Sequence, residues 1–417
     1  MGLLLASGRA HAGNDDGILV GGQAALVGGA VTAITDDGAA AWYNPAGLAR
    51  ITRHSFDINA SAYGLAVQRA ERIFELPGGQ TSDARMIDWQ LVPSALAYSR
   101  VLSERVVGSV GVFIPATTDG DLRSAFGQGD ERRWTVGIDQ LRNEYAYIAS
   151  VGIRVRDDLR IGVALNGVYV SAEEMALIAA GTNTMMTPSE ETSVVAAAHQ
   201  TRGEYGLRVG VGVQWTVRPG LELGLAVQTP TVTAIRSIKT DSATSVFLGE
   251  MGGLYEARHV DRLTKPFDLS TPLFVRLGAA YTLGRAQLLL DGSISSPLNA
   301  AGTTLDRKLS GNVRAGVQYT QSERLSYGFG AFTDRSGTRE DNPSFLGCAG
   351  GVRLATHYTL DEGKRRLTFA TTLAGRYAYG WGSIGGKQFL SETEQRTTRA
   401  ELTIHELAFN LGGAVTF

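Results

Sequence analysis

Residue types that carry catalysis or bind metal ions occur in this 417-residue chain, but their spacing matches no familiar reaction site. The six histidines lack the spacing that brings two ligands to one metal ion. No Gly-x-Ser-x-Gly sequence marks a nucleophilic serine, and the Gly-x-Gly at 210–212 lies inside an alternating segment instead of before a helix. The sequence therefore predicts no enzyme, no cofactor and no metal site.

Two further groups could be reactive. The neighbouring carboxyl groups of Asp36 and Asp37 are compatible with acid–base chemistry or a metal ion, although hydrogen bonding at the start of a helical turn is the commoner role of such residues. Cys348 is the single cysteine, which excludes an internal disulfide and favours a packed, unreactive thiol.

The elements that must position these groups are long strands. Between Tyr205 and Gln228 apolar residues alternate with polar residues and glycines on either side of the turn at Arg218–Gly220. Successive strand residues point to opposite faces, so this segment is a hairpin with one apolar and one polar face. Its strands exceed the nine to eleven residues or so that cross a bilayer and the roughly five or six typical of a soluble sandwich.

Fourteen such strands can be placed between residues 56 and 417, and their connections alternate in length. Those after even-numbered strands are tight turns, whereas the predicted connections after odd-numbered strands are long: 69–86, 116–140, 172–203, 231–271, 297–311, 334–345 and 382–399. Short turns on one rim and long loops on the other are typical of outer-membrane barrels, and an even strand number closes the sheet without a free edge. The predicted fold class is an all-β, 14-stranded antiparallel transmembrane barrel.

Composition agrees with a barrel. The chain has 52 glycines, 19% charged residues and a net charge of -2, and this near-neutral balance gives no indication of a nucleic-acid partner. No run of about 18 apolar residues is present, which excludes a membrane-spanning helix.

Charged residues on the polar faces of the strands must face the lumen, because an arginine at the lipid midplane costs about 2–4 kcal/mol. This set comprises Arg142, Glu144, Arg208, Glu222, Arg276, Asp291, Arg314 and Arg376. Trp89, Trp215 and Trp381 fall near strand ends, where they fit the aromatic girdles of a membrane barrel, with plain core packing as the alternative.

Both ends of the chain differ from the strands between them. Residues 1–12 end in Ala10-His11-Ala12 and are predicted to be a signal-peptide remnant, with a disordered terminus as the alternative. Residues 13–53 are small and do not alternate, so they must pack inside or beside the barrel predicted for 54–417. The final strand places Phe417 on its apolar face, which resembles the insertion signal of bacterial outer-membrane proteins.

One segment carries a resemblance to a known family. Asp36-Asp-Gly-Ala-Ala-Ala-Trp-Tyr-Asn44-Pro45-Ala46-Gly47-Leu48-Ala49 resembles the signature of FadL-type outer-membrane proteins, which import long-chain fatty acids and, in relatives, aromatic hydrocarbons. The resemblance implies an amino-terminal hatch that plugs the barrel, ligand capture by outer loops, and a pocket above the hatch. It also implies lateral release into the membrane through a gap made by a kink in the third strand.

The resemblance also nominates site residues. Carried over by position, it assigns Asn44, Pro45 and Ala46 to the part of the hatch beside the kink. The kink itself is expected in or near Val106–Pro115, a range that contains Gly108, Gly111 and Pro115. Glycine lowers the cost of bending a strand there.

Two predicted outer loops contain apolar clusters that could form a ligand groove. The candidates are Met175, Leu177, Ile178, Val246, Phe247, Leu248 and Met251. Exposed apolar clusters of this kind mark binding surfaces, and flexible methionines suit a promiscuous apolar groove. The alternative is that the two loops cap one another.

These observations together predict an outer-membrane channel for passive uptake of hydrophobic small molecules, either long-chain fatty acids or aromatic hydrocarbons. The expected partners are that ligand, outer-membrane lipid and lipopolysaccharide, and the barrel-assembly machinery, with the chain as a monomer. A surface adhesin or structural barrel without cargo is the main alternative. An outer-membrane hydrolase would need a rim site that the sequence does not contain.

Overall fold

A computed structural model of the chain describes residues 19–75, 79–128, 132–182, 192–248, 253–298, 307–337, 343–360, 365–389 and 395–417. Two short helices, α1 (Gly22–Leu26) and α2 (Ala40–Tyr43), and a 3-10 helix at Pro45–Arg50 precede the strands. The strand segments are β1 (Ser55–Glu75), β2 (Thr81–Ser103), β3 (Val106–Gln128), β4 (Arg132–Arg156), β5 (Leu159–Thr182), β6 (Thr192–Arg218), β7 (Leu221–Gln228), β8 (Thr231–Leu248), β9 (Gly253–Thr271), β10 (Phe274–Leu283), β11 (Ala286–Ser295), β12 (Ser310–Ser322), β13 (Leu325–Asp334), β14 (Ser344–Leu360), β15 (Arg365–Phe389) and β16 (Gln395–Thr416).

These segments form one closed barrel of fourteen strands. β7 and β8 pair with the same neighbour, β6, and are two halves of one strand interrupted before Pro230. β9 and β10 are likewise halves of one strand, interrupted at Pro272-Leu273. Proline removes a ladder hydrogen bond, which explains both interruptions. Pairing of β5 with β6 and of β1 with β16 closes the sheet, so the predicted fold class is confirmed.

The strands are longer than predicted, and the predicted long connections are wrong in extent. For example, 231–271 is not a loop but contains β8 and β9, and 116–140 contains the ends of β3 and β4. Strands that rise beyond the lipid have water on both faces, as at residues 258–264, where every residue is exposed. The apolar–polar alternation that marks a strand is therefore lost there.

The outer face of the barrel is apolar. Outward-facing Val209 and Val211 are exposed by 38% and 45%, while the intervening Gly210 and Gly212 are buried. The three tryptophans predicted to lie in the aromatic girdles are exposed: Trp89 by 64%, Trp215 by 43% and Trp381 by 48%. This exposure rules out the core-packing alternative. This is the surface of a membrane-spanning barrel. Within the described ranges, no helix has the length and apolar character needed to cross a bilayer.

The charged residues predicted to face the lumen do avoid the outer face. Six of them are buried: Glu144, Arg208, Arg276, Asp291, Arg314 and Arg376. The other two, Arg142 and Glu222, are half-buried. The core of the molecule lies in the half of the bore next to the short turns, where residues of the amino-terminal segment cluster with inward-facing residues such as Ala97, Phe113 and Ala164.

Candidate functional site

Asn44 lies fully buried where the amino-terminal segment meets the barrel wall. Its Nδ2 donates to the carbonyl oxygen of Thr32 at 2.8 Å and to that of Val213 on β6 at 3.0 Å. Its Oδ1 accepts from the backbone N–H of Ala46 at 3.2 Å and so caps the 3-10 helix that begins at Pro45. One side chain therefore joins two parts of the segment to the wall.

Glycines on three neighbouring strands let the segment approach this closely. A Cβ added to Gly152 would lie 2.7 Å from the backbone nitrogen of Ala49, and one added to Gly162 or Gly212 would overlap Pro45 or Asn44. Real Cβ atoms do not tolerate such distances, so only glycine fits at these positions. The Asn44-Pro45-Ala46 sequence is thus held against β4, β5 and β6.

A polar cluster anchors the end of the 3-10 helix. Arg50 forms an ion pair with Glu222 on β7, and its Nε donates to Oε1 of the buried Gln214 at 2.7 Å. Gln214 in turn donates to the carbonyl oxygen of Thr32 at 3.3 Å. Buried polar groups must find such partners, so this cluster fixes the position of the helix.

Trp42 links the segment to β3. Its carbonyl oxygen accepts from Nε2 of Gln228 at 2.9 Å, and the guanidinium of Arg208 lies 4.7 Å from the centre of its ring. The ring stacks on the fully buried Phe113 of β3, with 6.4 Å between ring centres. Movement of Trp42 would therefore disturb Phe113, which directly precedes the irregular part of β3.

β3 carries a bulge directly after Phe113. Phe113 pairs with Ala146 and Ala116 with Glu144, so Ile114 and Pro115 together face a single residue of β4. Proline has no N–H for the ladder, and a two-to-one bulge bends its strand. Of the predicted kink residues, Gly108 and Gly111 stand in regular pairs on both sides and Pro115 lies in the bulge.

The ladder between β2 and β3 is interrupted at the same level. Ile87 pairs with Asp121 and Ala95 pairs with Phe113, but the described residues between these two points form no ladder pairs across the two strands. The register between β2 and β3 is the same before and after this interruption. The interrupted interval therefore has seven positions on each strand, 88–94 on β2 and 114–120 on β3. This interval is called the β2–β3 gap below.

The predicted groove residues do not share one surface. Met175 is 49% exposed on the outer face of β5, whereas Ile178 packs against an inner apolar cluster and Leu177 is half-buried. The backbones of Val246, Phe247 and Leu248 lie at the end of β8, separated from β5 by β6, and Met251 lies outside the described residues. The described residues of this set are on strands, not loops, and the role of the whole set remains a prediction.

Comparison with known proteins finds solved structures that share this architecture. No protein-family model and no curated protein matches the sequence. Among solved structures, a Pseudomonas aeruginosa FadL homologue matches with a TM-score of 0.60 at 12% identity, covering 98% of this chain and 99% of that one. The toluene transporters TodX of P. putida and TbuX of Ralstonia pickettii match with TM-scores of 0.59 and 0.58 at 11% and 13% identity. Each comparison covers 97% of this chain and 99% of the other.

The chain has the FadL-type barrel fold. At these identities the likeness concerns architecture, and the side chains must be argued from this chain itself. Fourteen strands close the barrel, and its bore holds the amino-terminal segment described above.

A polar pocket of about 250 Å³ lies between the amino-terminal segment and the wall of this FadL-type barrel. Asp37 and Asp57 line it from the segment and from β1, and Arg353 faces them from β14. Burial, and after it the nearby carboxyl groups of Asp57 and Asp36, raise the pKa of Asp37 from 3.8 to about 7 against the opposing effect of Arg353. The Asp36-Asp37 pair thus lines this pocket, and the described residues hold no cluster suited to a metal ion.

Sequence reasoning missed several residues of this site. Trp42 stands within the quoted signature but was not nominated, and Phe113, Gln214 and Arg50 were not singled out. Gln214 could have been noticed as a polar residue among the glycines of the inward face of β6. The stacking of Trp42 on Phe113 joins positions 71 apart, which no local pattern reveals.

Proposed function

We propose that the chain is a bacterial outer-membrane channel for passive uptake of hydrophobic small molecules, either long-chain fatty acids or aromatic hydrocarbons. The β2–β3 gap is the observation that carries this proposal. It interrupts a wall whose outer face is apolar, and it lies beside the stacked rings of Trp42 and Phe113. A molecule that leaves through the gap enters lipid and never has to cross water.

In this proposal residues 13–53 are the hatch, and 54–417 are the barrel in which it sits. The anchoring of Asn44, Arg50 and Trp42 to the wall supports a hatch that stays in place and blocks polar solutes. The rim with short turns faces the periplasm, and the long strands rise outside the cell. Outer-membrane lipid, lipopolysaccharide and the assembly machinery are the partners of such a barrel, which acts as a monomer.

The structurally similar proteins guide the choice of probes for this proposal. Two structurally similar proteins are toluene transporters and another is a FadL homologue. Oleate and toluene are therefore the probes to use. Transport needs no nucleotide, because the ligand moves down its own gradient, with hatch movement near Asn44–Ala46 allowing release.

Removing the bulge tests the lateral path. Deleting Pro115 leaves one residue opposite one and keeps the inward and outward faces of β3 unchanged on both sides. The matched control is deletion of Ala234, the extra residue of a similar bulge on β8, where Tyr205 pairs with Ile235 and Gly206 with Thr233.

We expect cells carrying the Pro115 deletion to lose at least tenfold in uptake of labelled toluene or labelled oleate, and the Ala234 deletion to retain it. Heat-modifiable migration in gels verifies that both barrels are folded. Undiminished uptake in a folded Pro115 deletion would rule out the lateral path. Absence of uptake of both probes by the wild-type protein would favour the adhesin or structural alternative.

A further inference from the structure

The upper lumen contains an apolar patch that the function above does not use. Barrel interiors are usually polar, and the part of this lumen beside the amino-terminal segment follows that rule with buried arginine, aspartate and glutamine. Farther from the short turns, six inward-facing apolar residues of β13–β16 cluster, each exposed by 8% or less: Phe332, Phe345, Ala378, Ile384, Leu402 and Ile404. These six residues are called the upper-lumen site.

Residues 73–75 at the end of β1, called the tip below, fill this site. Ile73 and Phe74 of β1 are 4% and 5% exposed and belong to the same cluster. Up to Glu71, β1 pairs with β16 in antiparallel register, but Phe74 and Glu75 pair in parallel with Lys387 and Gln388 of β15. The tip therefore crosses β16 on its inner face and covers the site with two apolar side chains.

A strained hinge precedes the tip. Arg72 has a φ of 54°, the left-handed region that side chains other than glycine rarely adopt. Asp83 of β2 holds this conformation: its Oδ1 accepts from the backbone N–H of Arg72 at 3.0 Å, and its Oδ2 accepts from Arg69 at 3.0 Å. Ladder pairing between β1 and β2 skips from Ala70 to Phe74 across the hinge. Strain of this kind persists where the surroundings hold it, and it marks elements with two arrangements.

We propose that the hairpin tip is an intramolecular stopper of the upper-lumen site, and that an apolar ligand enters the lumen by displacing Ile73 and Phe74. This inference rests on the proposed transport function. The site is complete without the tip, since its six residues lie on the wall strands. Among the described residues two ladder pairs join the tip to β15, so it can swing about Arg72 while the barrel stays closed.

The stopper also indicates the class of ligand. Its two side chains are uncharged hydrocarbon groups, one of them a benzyl ring. Next to the site, Arg376 lies 4.8 Å from the ring centre of Phe332 and donates to Glu406 at 2.9 Å, so that its charge is already balanced. Burying an unpaired carboxylate there would be costly. The site therefore takes an uncharged aromatic or aliphatic molecule in preference to an anion.

A reversible cross-link tests the stopper. In a Cys348→Ser background, Glu75→Cys with Gln388→Cys places thiols on ladder partners and ties the tip to β15 when oxidised. The matched control is Val67→Cys with Ile87→Cys, ladder partners that tie β1 to β2 below the hinge and leave the tip free. The readouts are cross-link formation and uptake of labelled naphthalene by cells with the protein in their outer membrane, before and after reduction.

We expect oxidation of the tip pair to lower naphthalene uptake at least tenfold, reduction to restore it, and the control pair to have no effect. Phe74→Ala should raise uptake several-fold, and 2-naphthoate should enter at least tenfold more slowly than naphthalene. Failure of the tip thiols to cross-link in a folded barrel would overturn the proposal, as would equal uptake in the oxidised and reduced states.

The two proposals fail in different ways. If wild-type cells take up no naphthalene, toluene or oleate, the transport function itself is wrong, whatever the cross-link does. If wild-type cells take up naphthalene and the locked tip does not slow it, transport stands and the stopper does not. Equal uptake of naphthalene and 2-naphthoate would contradict the assignment of ligand class alone.

Discussion

Asn44 makes three hydrogen bonds from one buried side chain, each to a backbone group: the carbonyl oxygens of Thr32 and Val213 and the N–H of Ala46. A net contribution of about 1 kcal/mol per bond is typical, and a buried polar group left unsatisfied costs about 1–3 kcal/mol. The amino-terminal segment has little regular structure of its own. Hydrogen bonds from side chains such as Asn44 therefore determine whether the segment stays bound to the barrel wall, which is called its seating below.

Gly212 offers a test of that seating. A Cβ at this position would overlap Oδ1 of Asn44, whereas a Cβ at Gly210, two residues earlier on the same face of β6, would meet only ordinary contacts at 3.6 Å and 3.8 Å. Overpacking of this kind costs about 1–3 kcal/mol. We expect Gly212→Ala to speed amide hydrogen exchange over residues 40–50 and Gly210→Ala to leave it unchanged. Identical exchange in both variants would contradict the packing described here.

Asp37 should make the segment sensitive to pH. Its pKa of about 7, against 3.8 for an ordinary aspartate, means that the seated segment retains a proton which the released segment gives up. Seating is therefore strongest below about pH 4 and weakens as pH rises towards about 7, with little further change above that.

In planar bilayers, brief conducting events should be several-fold more frequent at pH 8 than at pH 5. Asp37→Asn should remove this dependence, because its side chain carries no titratable group. Asp157→Asn, in an exposed turn, should retain it. A pH dependence that survives Asp37→Asn would show that another group is responsible.

At the scale of elements, an ion-pair network centred on a buried arginine joins three of the long strands. Arg236 of β8 pairs at 2.5 Å with both Glu204 of β6 and Asp268 of β9, and its side chain is 2% exposed. In the same hairpin, Arg258 pairs with Asp241 across β9 and β8, but its side chain is 72% exposed. Arg236 ties three strands together from an almost fully buried side chain, although its partner Asp268 is 32% exposed, whereas Arg258 is solvated.

These two arginines should differ in their effect on stability. Removing one partner of a buried pair typically costs about 3–5 kcal/mol, and an exposed pair contributes about 0–1 kcal/mol. Denaturant unfolding in lipid vesicles should show a loss of that order for Arg236→Ala and little change for Arg258→Ala. Equal losses in the free energy of unfolding would mean that burial of the arginine does not determine how much its ion pairs stabilise the barrel.

Elements inside the membrane could be predicted from sequence, and those outside it could not. Within the lipid each strand has one apolar and one enclosed face, so the alternation at 205–228 predicts its hairpin correctly. Above the lipid that pattern disappears, so the sequence wrongly predicts a loop where the structure has β8 and β9. The bulge at Ile114-Pro115 falls at the end of the range that the resemblance nominated, but its position opposite Tyr145 depends on tertiary structure.

At the scale of the whole molecule, the barrel combines a closed wall, a bore that holds the amino-terminal segment, and the β2–β3 gap in the wall. Closure of the barrel gives its strands paired neighbours, with the β2–β3 gap as an exception, and the glycine-lined inner face admits the amino-terminal segment. The β2–β3 gap lies beside the contact between that segment and β3. Apolar cargo could then leave the lumen while the bore remains shut to ions.

Single-channel conductance tests this arrangement most directly. The intact protein in a planar bilayer at pH 5 should be almost silent, whereas deletion of residues 13–50 should give a stable open pore that conducts small ions continuously. A deletion variant that folds and stays closed would contradict the account, and so would an intact protein that already conducts as a steady open pore.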